Sequence, residues 1–482
     1  MALEYFEQRE RALLGDRFDT LYTPPAEKAA RGVTVSALRC TPEQFAQLVD
    51  FPVRPSPLCA AGFCVDVPDF KPGKHPYHAA GVFYSQEPSA SSAAPLLGVK
   101  PGMRVLDTCA APGGKTSQLA TALQGHGLLV ANEFVASRAA ILKQNLERMG
   151  VRNAVVLNED TSRIAEALPE FFDRVLVDAP CSGEGMFRKE EEASRQHSET
   201  LVEQCAELGA QILDNAAAAL APGGVMVYST CTFAPQEDEA QVAAFLARHP
   251  EFTLLPTLEE SPLVFGSEGE PNRLGEQSAD TTLMRRIWPC QGGEGHFIAR
   301  LQKAGEPRKL PPLGELTEEE TAWLNPKPAK GKAKKGKPAP KGGKGQSTGD
   351  VLSSWQAFAT EYFPSLTEKP ALVRGENILL PPAFPNLPLH ILRAGVLAGS
   401  AQKGRFVPEH HLFTAYGADC TNQEKLTLSD PRTLAYLKGE EIEAKTAQNG
   451  WCCVTVDGFA LGGGKVSGGR VKNHYPKALR FV

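Results

Sequence analysis

Two cysteines are candidates for covalent chemistry because each follows an apolar run typical of a β-strand. Cys181 comes shortly after residues 174–178, and Cys231 comes shortly after residues 224–228. A free cysteine is most often a small buried apolar residue. Two cysteines in polar turns at the same edge of one sheet are less well explained as buried apolar residues. Since a thiolate is a strong nucleophile, the pair is a candidate nucleophilic site.

Acidic residues follow the other predicted strands. Asp107 ends the first strand and leads into a glycine turn, Glu133 ends the second, and Asp160 follows the third. Ligands of open α/β sheets bind at the carboxyl ends of the strands. There, Glu133 is placed to accept both hydroxyls of a ribose, and Asp160 is positioned for an adenine amino group. With Asp178 at the end of a fourth strand, the set favours an adenosyl ligand without phosphates.

Two phosphate-binding motifs compete with that interpretation. Gly114-Lys115-Thr116 matches the last three positions of a phosphate loop, but the first glycine of that motif would fall on Cys109. The G-x-G-x-x-G spacing of a dinucleotide site is also absent from this turn. The sequence therefore excludes both motifs here.

The elements that position these residues alternate between apolar strands and helical stretches, which predicts a doubly wound α/β domain over residues 86–302. The predicted strands are 104–107, 127–133, 154–157, 174–178 and 224–228. The predicted helices between them include 115–123, 136–149 and 201–220.

Three further regions complete the predicted organisation. Residues 1–85, with a helix over 3–14, are expected to form a smaller α/β extension that binds RNA. Residues 303–349 are rich in Pro, Lys and Gly, which is typical of a disordered linker. Residues 350–482 contain short strand-like pieces such as 451–456 and 459–461, which predict a small β-rich domain.

Composition narrows the class of protein. The 482 residues carry a net charge of −5, but from Lys327 onward 22 Lys and Arg stand against 12 Asp and Glu, which fits local contact with a polyanion. The 11 cysteines include no C-x-x-C pair, so we expect a reduced compartment and no metal site. The sequence shows no signal peptide and no apolar run of about 20 residues, so we expect a cytoplasmic protein outside the membrane.

Several sequence blocks resemble a known family of enzymes. Residues 107–115, 178–185 and 228–232 resemble the signature blocks of the Nop-Nol-Sun family of RNA cytosine-5 methyltransferases, and residues 78–89 resemble the block that precedes them. Residues 403–406, 461–467 and 472–477 are similar to the PUA-like RNA-binding domain of the bacterial RsmF-type branch. The chain departs from many relatives at Val33-Thr34-Val35-Ser36, where they have Arg-Val-Asn.

The resemblance implies roles for four catalytic residues. Cys231 would add to carbon 6 of a cytosine and make carbon 5 nucleophilic, and Cys181 would take part in the release of the product. The final proton acceptor at carbon 5 would be Cys181, Asp178 or a water molecule. Asp178 would hydrogen-bond the base, and Lys115 would organise the pocket.

The resemblance also implies that S-adenosylmethionine is the cofactor and that RNA is the partner. Basic residues 403–405 and 470–477 would then contact phosphates. The expected cofactor-binding residues are Cys109, Ala110, Ala111, Pro112, Gly113, Gly114, Lys115, Glu133, Arg138, Asp160 and Asp178.

Other functions remain open at the level of sequence. The substrate favoured by the RsmF-type blocks is small-subunit ribosomal RNA, and transfer RNA is the alternative. A methyltransferase of this fold that acts on proteins or small molecules would need neither two strand-end cysteines nor a basic appended domain. A non-catalytic RNA-binding assembly factor is expected to have lost the cysteines or the acids. We expect a monomer.

Overall fold

The chain divides into two units. The computed structural model describes residues 2–26, 28–67, 70–324, 348–402 and 404–481. The first unit holds Met1–Leu146, Ala154–Leu313 and Pro388–Arg393. The second holds Glu147–Asn153, Gly314–Leu387 and Ala394–Val482.

The first unit begins with a small α/β region, as the sequence predicts. Its elements are α1 (Ala2–Leu14), α2 (Arg17–Leu21), β1 (Gly32–Val35), α3 (Pro42–Leu48), β2 (Arg54–Pro55), β3 (Gly62–Cys64), α4 (Pro76–Ala79) and β4 (Phe83–Ser85). The strands form an antiparallel sheet in the order β2-β3-β1-β4. The Oγ1 of Thr41 accepts a hydrogen bond from the backbone N of Gln44 at 3.3 Å, which caps α3. The ring of Phe45 packs against Phe63 and Phe83 in the core of this region.

A larger sheet follows and confirms the doubly wound prediction. Its strands are β5 (Arg104–Asp107), β6 (Leu128–Asn132), β7 (Ala154–Leu157), β8 (Phe172–Asp178), β9 (Leu220–Thr230), β10 (Phe252–Leu255), β11 (Ser267–Glu268), β12 (Arg285–Ile287) and β13 (His296–Lys303). The intervening helices are α5 (Gly114–Leu123), α6 (Ala136–Met149), α7 (Thr161–Ala167), α8 (Glu191–Gln196), α9 (Glu199–Ala219) and α10 (Glu239–Arg248).

The order of the strands creates a reversal at the centre of this sheet. The order is β11-β12-β13-β9-β8-β5-β6-β7, with β10 beside β13 and residues 391–394 added at the β7 edge. Strands β5 to β9 are parallel to one another. The chain moves outward from β5 to β6 and β7 and then returns to β8 on the other side of β5. Ligands of doubly wound sheets bind at such a reversal, outside the carboxyl ends of the strands.

Part of the segment expected to be a linker is structured. Arg308 forms an ion pair with Asp173 at 2.8 Å, and helix α11 covers Glu318–Leu324. Thr317 and Glu320 cap this helix reciprocally, a Thr-x-x-Glu signal that composition alone does not show. The expectation of disorder is therefore wrong for residues 318–324. The lysine-rich run at 327–337 lies outside the described residues.

The second unit is rich in short strands, which confirms the β-rich prediction. It contains α12 (Thr348–Tyr362), β14 (Leu372–Arg374), β15 (Asn377–Leu380), β17 (Val396–Gln402), β18 (Arg405–Pro408), α13 (His410–Tyr416), β19 (Gln423–Leu426), α14 (Pro431–Leu437), β20 (Ile442–Glu443), β21 (Gly450–Val456), β22 (Phe459–Ser467) and β23 (Arg470–Asn473), whereas β16 (Ile391–Ala394) is the strand added at the β7 edge of the large sheet. Two sheets have the orders β14-β15-β17-β18 and β19-β21-β22-β23-β20. Trp355, Phe413 and Cys453 belong to a hydrophobic core that both sheets share. Lys403, expected in a phosphate-contacting block, lies outside the described residues.

Candidate active site

The two predicted cysteines meet at the carboxyl edge of the large sheet. Strands β8 and β9 are adjacent and parallel, and Asp178 pairs in register with Ser229. The chain beyond each strand end therefore brings Cys181 and Cys231 together, and their Sγ atoms lie 3.5 Å apart. Both are free cysteines of intermediate burial, so the edge holds two thiols side by side.

Hydrogen bonds fix the turns that carry the cysteines. The Oγ of Ser182 donates to Oε1 of Glu237 at 2.6 Å, and the backbone N of Ser182 donates to Oε2 at 2.8 Å. The Oγ of Ser182 also lies 2.7 Å from Oγ1 of Thr232. Beyond this turn, the backbone N of Gly185 donates to the carbonyl of Cys231 at 2.8 Å. The loop after β8 is thus tied to the loop after β9 on both sides of the sulfur pair.

Lys115 and Asp178 form an ion pair beside the cysteines. The Lys115 Nζ lies 2.8 Å from Oδ1 of Asp178, and Oγ of Ser229 donates to the same carboxylate oxygen at 2.8 Å. Burial opposes the ionisation of Asp178, but Lys115 and Ser229 lower its pKa below the usual value. Burial likewise opposes the charge on Lys115, and Asp178 raises its pKa above the usual value. Both groups therefore remain charged at neutral pH.

The glycine turn after β5 is held by a buried acid. Gly113 has a φ of 116°, a conformation that favours glycine, and α5 begins at Gly114. The Oγ1 of Thr116 donates to Oδ2 of Asp107 at 2.7 Å. The other carboxyl oxygen of Asp107 is buried and has no hydrogen-bond partner among the described residues. Burial raises the pKa of Asp107 to about 7.

The remaining expected cofactor residues surround this turn. Glu133 follows β6, and its Oε1 accepts a hydrogen bond from the backbone N of Val135 at 2.9 Å. Arg138 lies 3.7 Å from Oε2 of Glu133 and donates to the carbonyl of Ala111 at 2.9 Å. Burial raises the pKa of Cys109, within the turn, to about 12, so this thiol is neutral.

Asp160 has a structural role in this sheet, and its adenine-binding role stays a prediction. It is the N-cap residue of α7, and its Oδ1 accepts hydrogen bonds from the backbone N and the Oγ of Ser162 at 2.9 and 2.7 Å. Its other carboxyl oxygen makes neither of these bonds. Asp160 can therefore cap the helix and still offer an acceptor at the edge of the sheet.

An adenosyl ligand fits the donors and acceptors of this edge. The turn offers backbone groups around Gly113, Glu133 offers a carboxylate that suits vicinal hydroxyls, and Asp107 has an unsatisfied buried oxygen. Only one cation, Lys115, lies in the turn itself, and Asp178 already neutralises it. The site therefore suits a nucleoside better than a polyphosphate.

Sequence reasoning missed several residues of the site. Ser229 lies two positions before Cys231 in the same Ser-Thr-Cys motif at the end of β9, a signal that the sequence contains. No signal in the sequence points to His296, because strand β13 lies far from β9 along the chain. Only in the folded sheet do the two strands pair antiparallel, with Phe297 opposite Thr230. His296 is buried, and burial together with Lys115 lowers its pKa to about 3, so its imidazole is neutral.

Family models match along most of the chain. The model described as 16S rRNA methyltransferase RsmB/F matches residues 94–302. The N-terminal domain of 16S rRNA methyltransferase RsmF matches residues 4–88. The RsmF first C-terminal domain matches residues 357–415, and the methyltransferase RsmF PUA domain matches residues 423–481.

Similar proteins share the name ribosomal RNA small subunit methyltransferase F. The one from Vibrio campbellii is 30% identical over 467 residues, which span 93% of this chain and 91% of the relative. The one from Klebsiella pneumoniae is 31% identical over 96% of this chain and 92% of the relative. The one from Serratia proteamaculans is 37% identical, but the match spans only 59% of either protein.

Solved structures share the fold of the first unit. A methyltransferase homolog from Pyrococcus horikoshii has a TM-score of 0.54 and 29% identity, over 62% of this chain and 95% of its own. NSun6 from the same organism, solved with SFG, has a TM-score of 0.52 and 19% identity, over 62% of this chain and 97% of its own. Among the described helices, none has the length and apolar composition needed to cross a bilayer.

Proposed function

Because the chain belongs to the RsmB/F family of 16S rRNA methyltransferases, we propose that it methylates carbon 5 of a cytosine in RNA. The observation that carries this proposal is the pair of sulfur atoms 3.5 Å apart at the carboxyl edge, beside an ionised Asp178. Bound S-adenosylmethionine supplies the electrophilic methyl group. The residues that would hold it are Cys109, Ala110, Ala111, Pro112, Gly113, Gly114, Lys115, Glu133, Arg138, Asp160 and Asp178.

Cys231 is the nucleophile in this proposal. Its thiolate forms a bond to carbon 6 of the cytosine, and the electrons of the 5,6 double bond move to carbon 5. Carbon 5 would then be able to accept the methyl group, with S-adenosylhomocysteine as the leaving group. The Lys115 ammonium, which is held at the edge by Asp178, stabilises negative charge at the site while the sulfur attacks.

Asp178 positions the base. An ionised carboxylate can accept a hydrogen bond from the exocyclic amino group of cytosine, or from ring nitrogen 3 when that nitrogen carries a proton. The second interaction draws electrons away from carbon 6 and favours addition of the thiolate. Ser229 and Lys115 hold the carboxylate in place through contacts of 2.8 Å each.

Cys181 acts in the release of the product. A proton leaves carbon 5, the double bond forms again and the bond between carbon 6 and the Cys231 sulfur breaks. The hydrogen bond with Cys231, together with burial, raises the pKa of Cys181 well above its usual value. Cys181 is therefore a neutral thiol that can hydrogen-bond the departing sulfur. The proton that leaves carbon 5 goes to the Asp178 carboxylate or to water, or to the Cys181 sulfur once Asp178 or water has taken the thiol proton of Cys181.

The proposed substrate is small-subunit ribosomal RNA. The names of the Vibrio and Klebsiella relatives support this choice, and the match to a PUA domain over residues 423–481 supports an RNA partner. We further propose a cytoplasmic monomer that acts on the RNA alone or within a small-subunit particle. Bisulfite mapping of ribosomal and transfer RNA from cells lacking the gene would show which cytosine loses its methyl group.

Two substitutions test the chemistry. With labelled S-adenosylmethionine and small-subunit ribosomal RNA, Cys231→Ala is expected to abolish methylation, whereas Cys181→Ala is expected to accumulate a covalent protein–RNA adduct. Cys290→Ala, at a partly buried cysteine outside the site, is the matched control and should retain activity. Full methylation by Cys231→Ala would contradict the mechanism. RNA binding by the wild-type protein without any methyl transfer would favour an assembly factor instead.

A further inference from the structure

A cavity of ≈ 590 Å³ lies in the second unit, and the proposed chemistry does not use it. It is lined by Gln402, Arg405, Phe406, Val407, Trp451 and Lys465. Strands β17 and β18 of one sheet form one wall, and β21 and β22 of the other sheet form the opposite wall. The volume is in the range of sites that hold small organic ligands, about 300–1,000 Å³.

The aromatic wall of the cavity is an accessible indole. Trp451 is partly exposed, although it also packs against the hydrophobic core of the second unit, whereas Trp288 and Trp355 are 0% and 1% exposed. The ring of His474 packs edge-on against Trp451 with the centroids 4.6 Å apart. The Nζ of Lys465 lies 5.5 Å from the centroid of the indole ring. A tryptophan held in this way offers a rigid surface for stacking.

A row of cations extends from the indole. Trp451 pairs directly with Lys465 across β21 and β22, and Lys465 pairs directly with Lys472 across β22 and β23. Directly opposed residues in antiparallel strands point to the same face, so the three side chains form one row. Arg405 adds a further cation from β18.

These cations lack ion-pair partners among the described residues. No ion pair among the described residues involves Arg405, Lys465 or Lys472, all of which are exposed. Burial, together with Lys472 and Lys465, lowers the pKa of His474 below its usual value, as expected where positive potential is uncompensated. An aromatic face beside spaced, unpaired cations is the combination that binds a base together with its phosphates.

We propose that this cavity binds one unpaired nucleotide of the RNA substrate, with its base stacked on Trp451 and its phosphates on Lys465 and Arg405. The proposal rests on the RNA substrate of the proposed function. It assigns the stacking contact to a composite surface made from both sheets of the second unit, rather than to the block at 470–477 alone. Stacking of this kind tolerates any base, so the contact adds affinity and register rather than sequence selection.

Binding of a fluorescein-labelled oligoadenylate of about eight nucleotides to the full-length protein tests the proposal. Trp451→Ala is expected to weaken binding at least about five-fold, and Trp451→Phe, which keeps an aromatic face, should bind within about three-fold of wild type. Lys465→Ala is expected to reduce the slope of log affinity against log salt by about 0.7. Lys438→Ala, at an exposed lysine in the same unit, is the matched control and should leave both quantities unchanged.

Tryptophan emission gives a second measurement that does not depend on affinity. The oligoadenylate should quench the emission of the wild-type protein, and Trp451→Phe should abolish that quenching while the other tryptophans remain. Wild-type affinity of Trp451→Ala, or unchanged quenching in Trp451→Phe, would overturn the proposal. An equal loss of affinity in Lys438→Ala and Lys465→Ala would overturn it too, because it would indicate general charge attraction.

The same proteins separate this inference from the proposed function. Cys231→Ala should bind the oligoadenylate as wild type does, since the cavity and the sulfur pair belong to different units. If Cys231→Ala still methylated RNA, the proposed function would fail while the binding result stood. If the Trp451 variants bound normally and methylation still required Cys231, only the nucleotide site would be wrong.

Discussion

Two clusters of charged and polar side chains lie close together in the first unit and differ in how they are satisfied. At the carboxyl edge, Lys115 and Asp178 pair with each other beside two partly exposed thiols, and Asp178 is 30% exposed. A few residues beyond Cys181, Glu184 is fully buried and binds Arg9 through two hydrogen bonds of 2.9 and 2.7 Å. The first cluster leaves reactive atoms accessible, whereas the second encloses its charges.

The enclosed cluster anchors helix α1 to the segments that follow strands β8 and β11. Glu10 accepts hydrogen bonds from Arg9 at 2.9 Å, from Tyr22 at 2.8 Å and from both terminal nitrogens of Arg273. Arg273 also donates to the carbonyl of Phe233 at 2.7 Å, close in sequence to Cys231. The comparison shows that a charge count does not identify an active site. Exposure and incomplete pairing at a strand end distinguish the chemical cluster from the structural one.

The largest expected effect is a loss of activity on substitution of Asp178, with a smaller effect on stability. Asp178→Asn removes the carboxylate that pairs with Lys115, so kcat/KM should fall about 100-fold to 10,000-fold, the usual range for a lost proton-handling group. The melting temperature should fall less than in a variant that breaks a fully enclosed ion pair, because the side chain of Asp178 is 30% exposed, although that of Lys115 is only 11% exposed. Methyl transfer and thermal unfolding measured together would check this. Asp214→Asn, at a half-exposed ion pair elsewhere in the unit, should change neither quantity.

In the enclosed cluster, by contrast, a substitution is expected to lower stability rather than activity. Arg273→Met would leave Glu10 buried without its main partner, so the free energy of unfolding should fall by about 3–5 kcal/mol. Arg17→Met, which breaks an exposed pair with Glu270, should cost less than about 1 kcal/mol. Urea titrations followed by circular dichroism measure both. Equal losses in the two variants would show that burial does not separate these ion pairs.

Acid should weaken the enclosed cluster through Glu184. Burial opposes its ionisation, but His197 and Arg9 lower its pKa to about 2, from 4.5 in an unfolded chain. A depressed pKa stabilises the protein above the unfolded value, and this contribution of about 3 kcal/mol is lost as the pH falls from 4.5 through about 2. The difference in unfolding free energy between wild type and Glu184→Gln should therefore shrink between neutral pH and about pH 3. A difference that stayed constant with pH would contradict the assigned pairing.

The accessible cluster could be predicted from the sequence to a large extent. The strands that end at or just before Asp107, Glu133 and Asp178 are rich in apolar residues, and each leads into a polar turn at the same edge of the sheet. Parallel packing then determines which turns are neighbours. The roles assigned to Cys231 and Cys181 remain predictions, although the structure brings the two sulfur atoms to 3.5 Å.

The enclosed cluster could not be predicted in the same way. Arg9 and Glu184 are 175 positions apart, and Glu10 and Arg273 are 263 positions apart. No local periodicity links such residues, because only the folded chain brings α1 against the turns that hold Glu184 and Arg273. The helix at 318–324 shows the converse error, in which a biased composition concealed a local capping signal.

The smallest expected effect tests how Asp178 is held. Ser229→Ala removes one hydrogen bond of 2.8 Å to the carboxylate but leaves the pair with Lys115. A hydrogen bond to a charged group contributes about 1.5–3 kcal/mol, so kcat/KM should fall about 10-fold to 100-fold. Because Ser229 helps to lower the pKa of Asp178, the acidic limb of the pH–rate profile should move to higher pH. Ser229→Thr, which keeps the hydroxyl, should restore the limb. A loss of rate without that movement would mean that Ser229 supports the strand rather than the carboxylate, and would weaken the distinction between the two clusters.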